Sequence, residues 1–139
     1  MDYQVVTFDP NTGVLTFGIP PVPTILTGIQ LLVQVVVLSY LRNPGRSVLA
    51  PTEGSGLRGD IGQYNYSDTS GDEIRALCVQ RTRAVQLEII SRQDPSSGSP
   101  TERLQQITLT NFAFDVTTAV TLLGVKVINE AGDSANILV

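Results

Sequence analysis

A long apolar run at residues 25–41 limits what this chain can fold into more than any other feature of the sequence. Only four polar side chains interrupt it: Thr27, Gln30, Gln34 and Ser39. We predict a helix that is capped by Thr24 and is apolar nearly all round, as expected of a helix that is buried on most sides or crosses a membrane. The run is at the short limit for a membrane span, and its many valines leave a strand as the other alternative. A helix that packs on its own sheet and on a neighbouring chain explains the excess apolar surface better.

A loop rich in proline and glycine follows this run and ends the predicted helix. Its first part reads Arg42-Asn43-Pro44-Gly45-Arg46-Ser47, and its second part reads Pro51-Thr52-Glu53-Gly54-Ser55-Gly56-Leu57. Two glycines around a serine allow the backbone to turn sharply or to approach a neighbour closely. Arg46 and Glu53 lie on either side of the loop and can pair across it.

The segments before the run predict a small β-structured arm. Residues 3–8 and 14–17 have the composition of strands, and the turn chemistry at 9–13 between them predicts a hairpin. The proline-rich residues 19–23 then predict a stiff, extended linker.

The segments after the loop predict a second helix and three strands. Ser70-Gly71-Asp72-Glu73 has the pattern of a capping box, which begins a helix that ends near Arg92. The pattern of apolar residues changes parity near Thr110 and Asn111, which predicts a β-bulge in the first strand. The strands are predicted at 104–114, 119–128 and 136–139.

Together these elements predict an α+β fold. In it, a small mixed or antiparallel sheet, made of the N-terminal hairpin and the C-terminal strands, packs with two helices. The length of 139 residues is that of one domain. We divide this domain into an arm at 1–23, with the hairpin and the linker, and an α+β body at 24–139.

The composition argues against several classes of function. The chain has no histidine, which is the commonest general base and metal ligand, and its net charge of −4 argues against binding nucleic acid through phosphates. No metal-ligand spacing is present, so we predict neither a metal nor another cofactor.

The one cysteine, Cys78, is predicted to be a buried apolar residue of the second helix. Eight arginines against one lysine favour either bidentate pairing with carboxylates at protein interfaces or an ordinary solvated helix face.

The carboxylates near the glycine-rich loop do not predict catalysis. A glycosidase needs two carboxylates about 5–9.5 Å apart in a rigid cleft, and Glu53 and Asp60 are the only pair near this loop. Loop carboxylates are usually solvated or paired with arginine, so we predict that the chain is not an enzyme. The segment Gly54-Ser55-Gly56 lacks the residues of a phosphate-binding loop or of a nucleophile elbow.

The order of elements and the two loop segments resemble the sheath initiators, a family of baseplate wedge proteins of contractile phage tails once called lysozyme-like. Members typically carry a Thr-x-Pro-Gly-Glu-Arg-like segment, which is followed by Pro-x-x-Gly-x-x-Leu. Here the first segment is Arg42-Asn43-Pro44-Gly45-Arg46-Ser47, with Arg46 in place of the usual acidic residue. The second is Pro51-Thr52-Glu53-Gly54-Ser55-Gly56-Leu57. The resemblance extends over about residues 25–139.

This resemblance implies a structural protein of the virion, located in the inner ring of the tail baseplate and assembled in the host cytoplasm. Its implied partners are the baseplate wedge proteins, the tail sheath protein and, as a further candidate, the tail tube. Nucleic acid and membrane are not among them, and the family suggests six copies in a ring. The alternatives are a small structural adaptor of another assembly and, as the weakest, a lysozyme-like enzyme that cleaves peptidoglycan.

The resemblance also assigns contact residues. Family members carry a Glu-Pro-Arg motif before the first C-terminal strand, which contacts a helical core bundle of the wedge. The matching place here is Thr101-Glu102-Arg103, where Glu102 replaces the proline. We therefore expect wedge contacts at Arg42, Arg46, Glu53, Glu102 and Arg103. The strand that pairs with sheath protein is expected to include Val120, Leu122, Val125, Val127, Ile137 and Val139.

Overall fold

A computed structural model describes residues 2–3, 6–8, 15–18, 25–45, 48, 52–61, 63, 71–96, 98–115, 117–118 and 120–139. These residues contain seven strands, three α-helices and one 3-10 helix. In chain order they are β1 (Asp2–Tyr3), β2 (Val6–Phe8), β3 (Leu15–Phe17), β4 (Ile25–Leu26), α1 (Gly28–Leu41), α2 (Leu57–Ile61), α3 (Gly71–Arg92), η1 (Pro100–Glu102), β5 (Leu104–Asp115), β6 (Val120–Asn129) and β7 (Ser134–Leu138). The chain therefore has the predicted α+β fold.

Helix α1 supplies much of the core, as the apolar run predicted. It contacts η1, α2, α3, β6 and β7. Its side chains on one face are at most 2 % exposed: Leu32, Val36, Val37 and Tyr40. Leu31, Val35 and Leu38 lie on the opposite face and are only partly covered. The chain thus buries one side of α1 completely and leaves an apolar strip on the other side.

The start of α1 differs from the prediction. Ile25 and Leu26 form strand β4, which pairs with β1, and Gly28 then takes a left-handed φ of +61° at the first residue of the helix. The N–H of Gly28 donates to Oε1 of Glu102 at 3.3 Å. A carboxylate from η1 therefore lies at the helix N-terminus, where it also complements the helix dipole. The predicted cap, Thr24, is outside the described residues.

The N-terminal hairpin is confirmed, but it does not join the C-terminal strands. Strands β2 and β3 pair antiparallel, while the turn at 9–13 and the linker at 19–23 are outside the described residues. The β1–β4 pair, the β2–β3 pair and the three strands β5, β6 and β7 are separate sheets. Short hairpin strands find their partners locally with little loop-closure cost, so they pair with each other rather than with a distant edge.

The C-terminal sheet is antiparallel, with β6 between β5 and β7. The register of β5 against β6 shifts between Leu109 and Asn111, which confirms the predicted bulge. The extra residue turns Phe112 and Phe114 to the same side as Ile107 and Leu109, and these apolar side chains all pack on the core.

Helix α3 has nearly the predicted extent and packs on β5. Its buried face includes Ile74, Val85 and Cys78, so the prediction of a buried free cysteine is confirmed. The predicted cap, Ser70, is outside the described residues. The short helix α2 was not predicted, because glycines break the apolar pattern around it.

Candidate interaction surfaces

The loop after α1 folds back over the C-terminal end of that helix. The Ser55 N–H donates to the carbonyl oxygen of Ser39 at 2.9 Å. The Ser55 hydroxyl donates to the carbonyl oxygen of Tyr40 at 2.8 Å and accepts the N–H of Leu57 at 3.1 Å. These bonds satisfy carbonyl groups that the end of a helix leaves without partners. The buried Ser55 is therefore a helix cap rather than a reactive hydroxyl.

Gly54 makes this fold of the loop possible. Its φ is +115°, and a Cβ atom at this position would lie 2.7 Å from the carbonyl carbon of Arg42. Only glycine combines this backbone conformation with so close a neighbour. The prediction that the Gly-Ser-Gly segment permits a close approach of backbone to backbone is confirmed.

Two arginines hold Glu53. Arg42 Nη1 lies 2.8 Å from Glu53 Oε2, and Arg92 Nη1 lies 2.7 Å from Glu53 Oε1. Arg92 also pairs with Glu88 one turn earlier in α3 at 2.9 Å. Glu53 thus links the C-terminal ends of α1 and α3. Its proposed partner in the sequence, Arg46, is outside the described residues.

The other two residues expected at the wedge make contacts within the chain. Glu102 accepts the N–H of Gly28 at the start of α1. Arg103 Nε donates to Glu130 Oε2 at 2.6 Å, and its Nη1 donates to the carbonyl oxygen of Pro95 at 2.9 Å. The Arg103 side chain is only 20 % exposed. It therefore fastens the start of β5 to the β6–β7 turn and leaves little of its guanidinium for a partner.

A groove of about 370 Å³ runs along the partly covered side of α1. We term it the α1 groove. Its apolar lining includes Leu31, Val35 and Leu38. Its charged lining consists of Arg42, Arg92 and Glu102. The groove thus brings together two of the predicted wedge residues, Arg42 and Glu102, and a third, Glu53, binds both of its arginines.

Three residues of the predicted sheath-binding strand belong to the core. Val125, Val127 and Ile137 are at most 4 % exposed. Strand β6 is bonded to β5 on one side and to β7 on the other over this part of its length. These three side chains pack with residues of α1 and α3 in one core cluster. Their place in a sheath-binding strand stays a prediction, and it concerns the strand's backbone rather than these side chains.

The remaining three residues lie at one end of the same sheet. Val120 and Leu122 are about half exposed, near the tip of the β5–β6 hairpin. Val139 exchanges two backbone hydrogen bonds with Leu123, each of 2.8 Å. This end of the sheet is therefore accessible to a partner, unlike its middle.

Part of one edge of the C-terminal sheet is covered by a side chain of α3 and by that of the residue just after the helix. The N–H of Ile107 donates to Gln86 Oε1 at 2.9 Å, and the N–H of Leu104 donates to Gln93 Oε1 at 3.1 Å. These two N–H groups belong to the first half of β5. The two glutamines take the place that an added strand would occupy there, so this part of the edge is closed to pairing.

The opposite edge, along β7, is open among the described residues. Hydrogen-bonded pairs alternate with non-bonded pairs in an antiparallel ladder. Because Val139 is bonded to Leu123, the next bonded residues of β7 are Ile137 and Ala135. The backbone groups of Asn136 and Leu138 therefore point away from β6, and no described residue bonds to them.

Two buried groups of the core have raised pKa values. The Tyr40 hydroxyl donates to Thr82 Oγ1 at 2.6 Å, and Thr82 Oγ1 donates to the carbonyl oxygen of Cys78 at 2.7 Å. Burial raises the pKa of Tyr40 to about 12 and the pKa of Cys78 to about 11. Both groups are neutral near pH 7, so neither has the ionised form of a nucleophile or a base.

The two carboxylates near the loop are both occupied by arginines. Glu53 binds Arg42 and Arg92, and Asp60 accepts a hydrogen bond of 2.6 Å from Arg81 Nε. In the described part of the chain, no group of three or more acidic, histidine or cysteine side chains is arranged to hold a metal ion. None of its described helices has the length and hydropathy to span a membrane.

Sequence reasoning missed the glutamines that cover β5. The sequence did contain a signal for them. Gln86 directly follows Val85, an apolar residue of the buried face of α3, so its amide side chain lies close to the core. A polar side chain at such a position needs a hydrogen-bond partner. The sequence alone did not identify that partner as the backbone of a strand about twenty residues further along the chain.

Comparison with known proteins found no matching family model, no matching curated protein and no matching solved structure.

Proposed function

We propose that this chain is a structural protein of a contractile-tail baseplate, which joins wedge proteins and initiates the sheath by adding a sheath strand to its β7 edge. The proposal rests on the sequence resemblance over the loop and the following elements. It is supported by the matching arrangement of an apolar helix, a Pro-Gly loop, a second long helix and three final strands. We further propose that the protein acts in a ring of six copies.

The observation that carries this proposal is the difference between the two edges of the C-terminal sheet. Gln86 and Gln93 close the first half of the β5 edge, whereas Asn136 and Leu138 direct their backbone groups outward from β7. An open edge binds an extended segment through main-chain hydrogen bonds, with little dependence on the side chains of that segment. Because such pairing depends little on side-chain fit, it suits a sheath whose subunits rotate during contraction.

The wedge contact is proposed for the α1 groove. Its apolar wall of Leu31, Val35 and Leu38 fits the apolar side of a partner segment. Arg42 and Arg92 are paired with Glu53, but their side chains are about half exposed, so they can also meet acidic groups at the rim. This proposal replaces direct contact through Arg103, whose hydrogen-bonding groups are engaged by Glu130 and Pro95.

Asn136→Pro tests the strand-addition mechanism. Proline removes the N–H of residue 136, which points away from β6, so the β6–β7 ladder keeps its own bonds. We expect the variant to fold and to enter baseplates, but to support at least about tenfold fewer sheathed tails. The measurement is the number of sheathed tails by electron microscopy after coexpression with the tail genes of the same genome.

Two controls define the outcome of this experiment. Asn136→Ser keeps the N–H and should assemble sheath normally, whereas Ile137→Pro breaks a bond to β6 and should unfold the sheet. Normal sheath on baseplates that contain Asn136→Pro would rule out strand addition at β7. Absence of the wild-type chain from purified tails would rule out the baseplate function itself.

The structural-adaptor alternative uses the same open edge and differs in its partner. A chain recovered in a complex without sheath, tube or wedge proteins would support it. We propose no peptidoglycan cleavage, because Glu53 and Asp60 are both paired with arginines. Turnover of peptidoglycan by the pure protein that is lost in Glu53→Gln would contradict this.

A further inference from the structure

Helix α3 has a line of exposed side chains on the face opposite its buried residues. Ala76, Val79, Arg83, Leu87 and Ile90 follow one another at intervals of three or four residues, and all five are exposed. Residues at these intervals are neighbours on a helix surface, so they form one continuous line about 21 Å long. We term it the α3 stripe. Val79, Leu87 and Ile90 are between 37 % and 58 % exposed, and contiguous apolar surface of this kind is typical of a protein contact.

Arg83 lies in the middle of the α3 stripe without an acidic partner. The side chains three and four positions away, where helical ion pairs form, are all uncharged: Val79, Gln80, Gln86 and Leu87. By contrast, Arg81 and Arg92 of the same helix both pair with carboxylates. No carboxylate elsewhere among the described residues pairs with Arg83. Its guanidinium therefore keeps its donors available to a binding partner.

Arg75 adds a second unpaired charge beside the stripe. It precedes Arg83 by eight residues, or about 12 Å along the helix, and its side chain is exposed. Asp72 lies three positions before it, but neither Asp72 nor another described carboxylate forms an ion pair with it. This face of α3 thus combines three large apolar side chains with two arginines whose charges no described residue neutralises.

We propose that the α3 stripe binds an acidic amphipathic helix of a partner protein. That helix packs apolar side chains on Val79, Leu87 and Ile90, and it places two carboxylates, seven or eight residues apart, at Arg75 and Arg83. The arginine stems extend the apolar contact while their planar heads pair with the carboxylates. The site is separate from the α1 groove, which α3 lines from its other side, and it does not depend on the proposed baseplate function.

The chemistry of the stripe selects a helix of a protein over other classes of occupant. The backbone groups in the middle of α3 are bonded within the helix, so an extended segment would find no main-chain partners on this face. A partner helix satisfies its own backbone and needs only side-chain contacts. The net charge of −4 opposes binding to anionic lipid or nucleic acid through two arginines alone.

A second copy of this chain matches the stripe poorly. Two antiparallel α3 helices that cover the whole stripe would cross at its centre and bring Arg83 close to the same arginine of the other copy, and like charges in contact oppose association. A shifted register would place Arg83 opposite Asp72 of the other copy. In that register Leu87 and Ile90 lie beyond the first residue of the facing helix and stay uncovered.

The probe is an acetylated and amidated peptide of three repeats of Leu-Ala-Gln-Leu-Glu-Ala-Gln. Its leucines form an apolar stripe, and its glutamates recur every seven residues beside that stripe. The peptide is titrated into the isotopically labelled full chain, and binding is followed by methyl and amide chemical shifts. We expect shifts at Val79, Leu87 and Ile90. A peptide with lysine in place of each glutamate keeps the apolar stripe and should bind at least about tenfold more weakly.

Charge reversal on α3 tests the role of the two arginines. A double variant with Arg75→Glu and Arg83→Glu should bind the lysine peptide more tightly than the glutamate peptide, which reverses the wild-type preference. Arg58→Glu is the control, because Arg58 is also exposed but belongs to α2. It should leave the preference unchanged. Leu87→Gln removes one apolar contact and should weaken binding of both peptides. Circular dichroism of each variant checks that the fold is kept.

Equal affinity of the wild type for the two peptides, or unchanged affinity in Leu87→Gln, would overturn the proposal. Shifts confined to the α1 groove, or absent at millimolar peptide, would do the same. Shifts along α3 that depend on protein concentration without peptide would identify a second copy of this chain as the occupant. Binding to vesicles of anionic phospholipid that is lost in the double variant would identify a lipid surface. Either of these last two results would also reject the partner helix.

Discussion

Gly54 is the residue at which one added methyl group should disturb the loop most directly. Gly54→Ala would impose a left-handed backbone on a residue with a Cβ atom and would press that atom against the Arg42 carbonyl. The backbone term alone is about 1–2 kcal/mol, and with the clash we expect a loss of about 3 kcal/mol in the free energy of unfolding. Urea denaturation followed by circular dichroism measures it.

Gly45→Ala is the matched control for this prediction. Gly45 has a φ of +83°, but a Cβ atom added there would meet no described atom within 4 Å. Only the backbone term therefore remains, about 1 kcal/mol. Equal losses for the two variants would show that the close approach of Gly54 to Arg42 does not matter for stability.

The loop also shows how far residue-level prediction from sequence extends. The close approach at Gly54 could be predicted, because the need for glycine is a local property of the backbone. The arginines that bind Glu53 could not, because Arg92 lies 39 positions further along the chain and meets Glu53 only after α3 packs. Several arginines have the reach and charge for this pairing, and the tertiary structure selects among them.

At the scale of elements, α3 protects the sheet as well as filling the core. Gln86→Leu should remove the acceptor for the Ile107 N–H. An unsatisfied N–H that is partly buried costs about 1–3 kcal/mol, and where water reaches it the β5 edge becomes available to other chains. We expect lower stability and concentration-dependent self-association, measured by urea denaturation and sedimentation velocity.

Gln80→Leu is the control on the same helix. Gln80 is exposed, so this substitution adds the same apolar side chain at a position that leaves the hydrogen bond between Gln86 and β5 in place. If Gln80→Leu associates as strongly as Gln86→Leu, the added apolar surface rather than the opened strand edge is the cause.

Elements were predictable where the sequence pattern is local and regular. The strands β5 and β6 and the bulge near Thr110 followed from the parity of apolar residues. The start of α1 did not, because residues 25 and 26 suit a helix as well as a strand. Their pairing with β1, which lies far away in sequence, decides between the two. The covered β5 edge likewise depends on how α3 crosses the sheet.

At the scale of the whole molecule, the two apolar sides of α1 have different roles, one in the core of the chain and one in the α1 groove. The completely buried side is held by α3, β6 and β7 as part of the chain's own core. The partly covered side forms the α1 groove. The sequence predicted that a helix apolar on all sides needs more cover than its own sheet supplies, but it could not say which residues belong to which side.

Val35 and Val36 are neighbours in sequence but lie on different sides of α1, so substitutions at these two positions should distinguish the two roles. Val36 is completely buried, so Val36→Asp places a charge in the core, which costs several kcal/mol and should unfold the protein. Val35 lines the α1 groove and is partly exposed. Val35→Asp should therefore keep the fold, with a loss of about 1 kcal/mol or less, but disrupt the apolar contact with a wedge protein. We expect thermal unfolding close to that of the wild type and at least about tenfold less chain in purified baseplates. Normal incorporation of folded Val35→Asp would show that the groove is not the wedge contact.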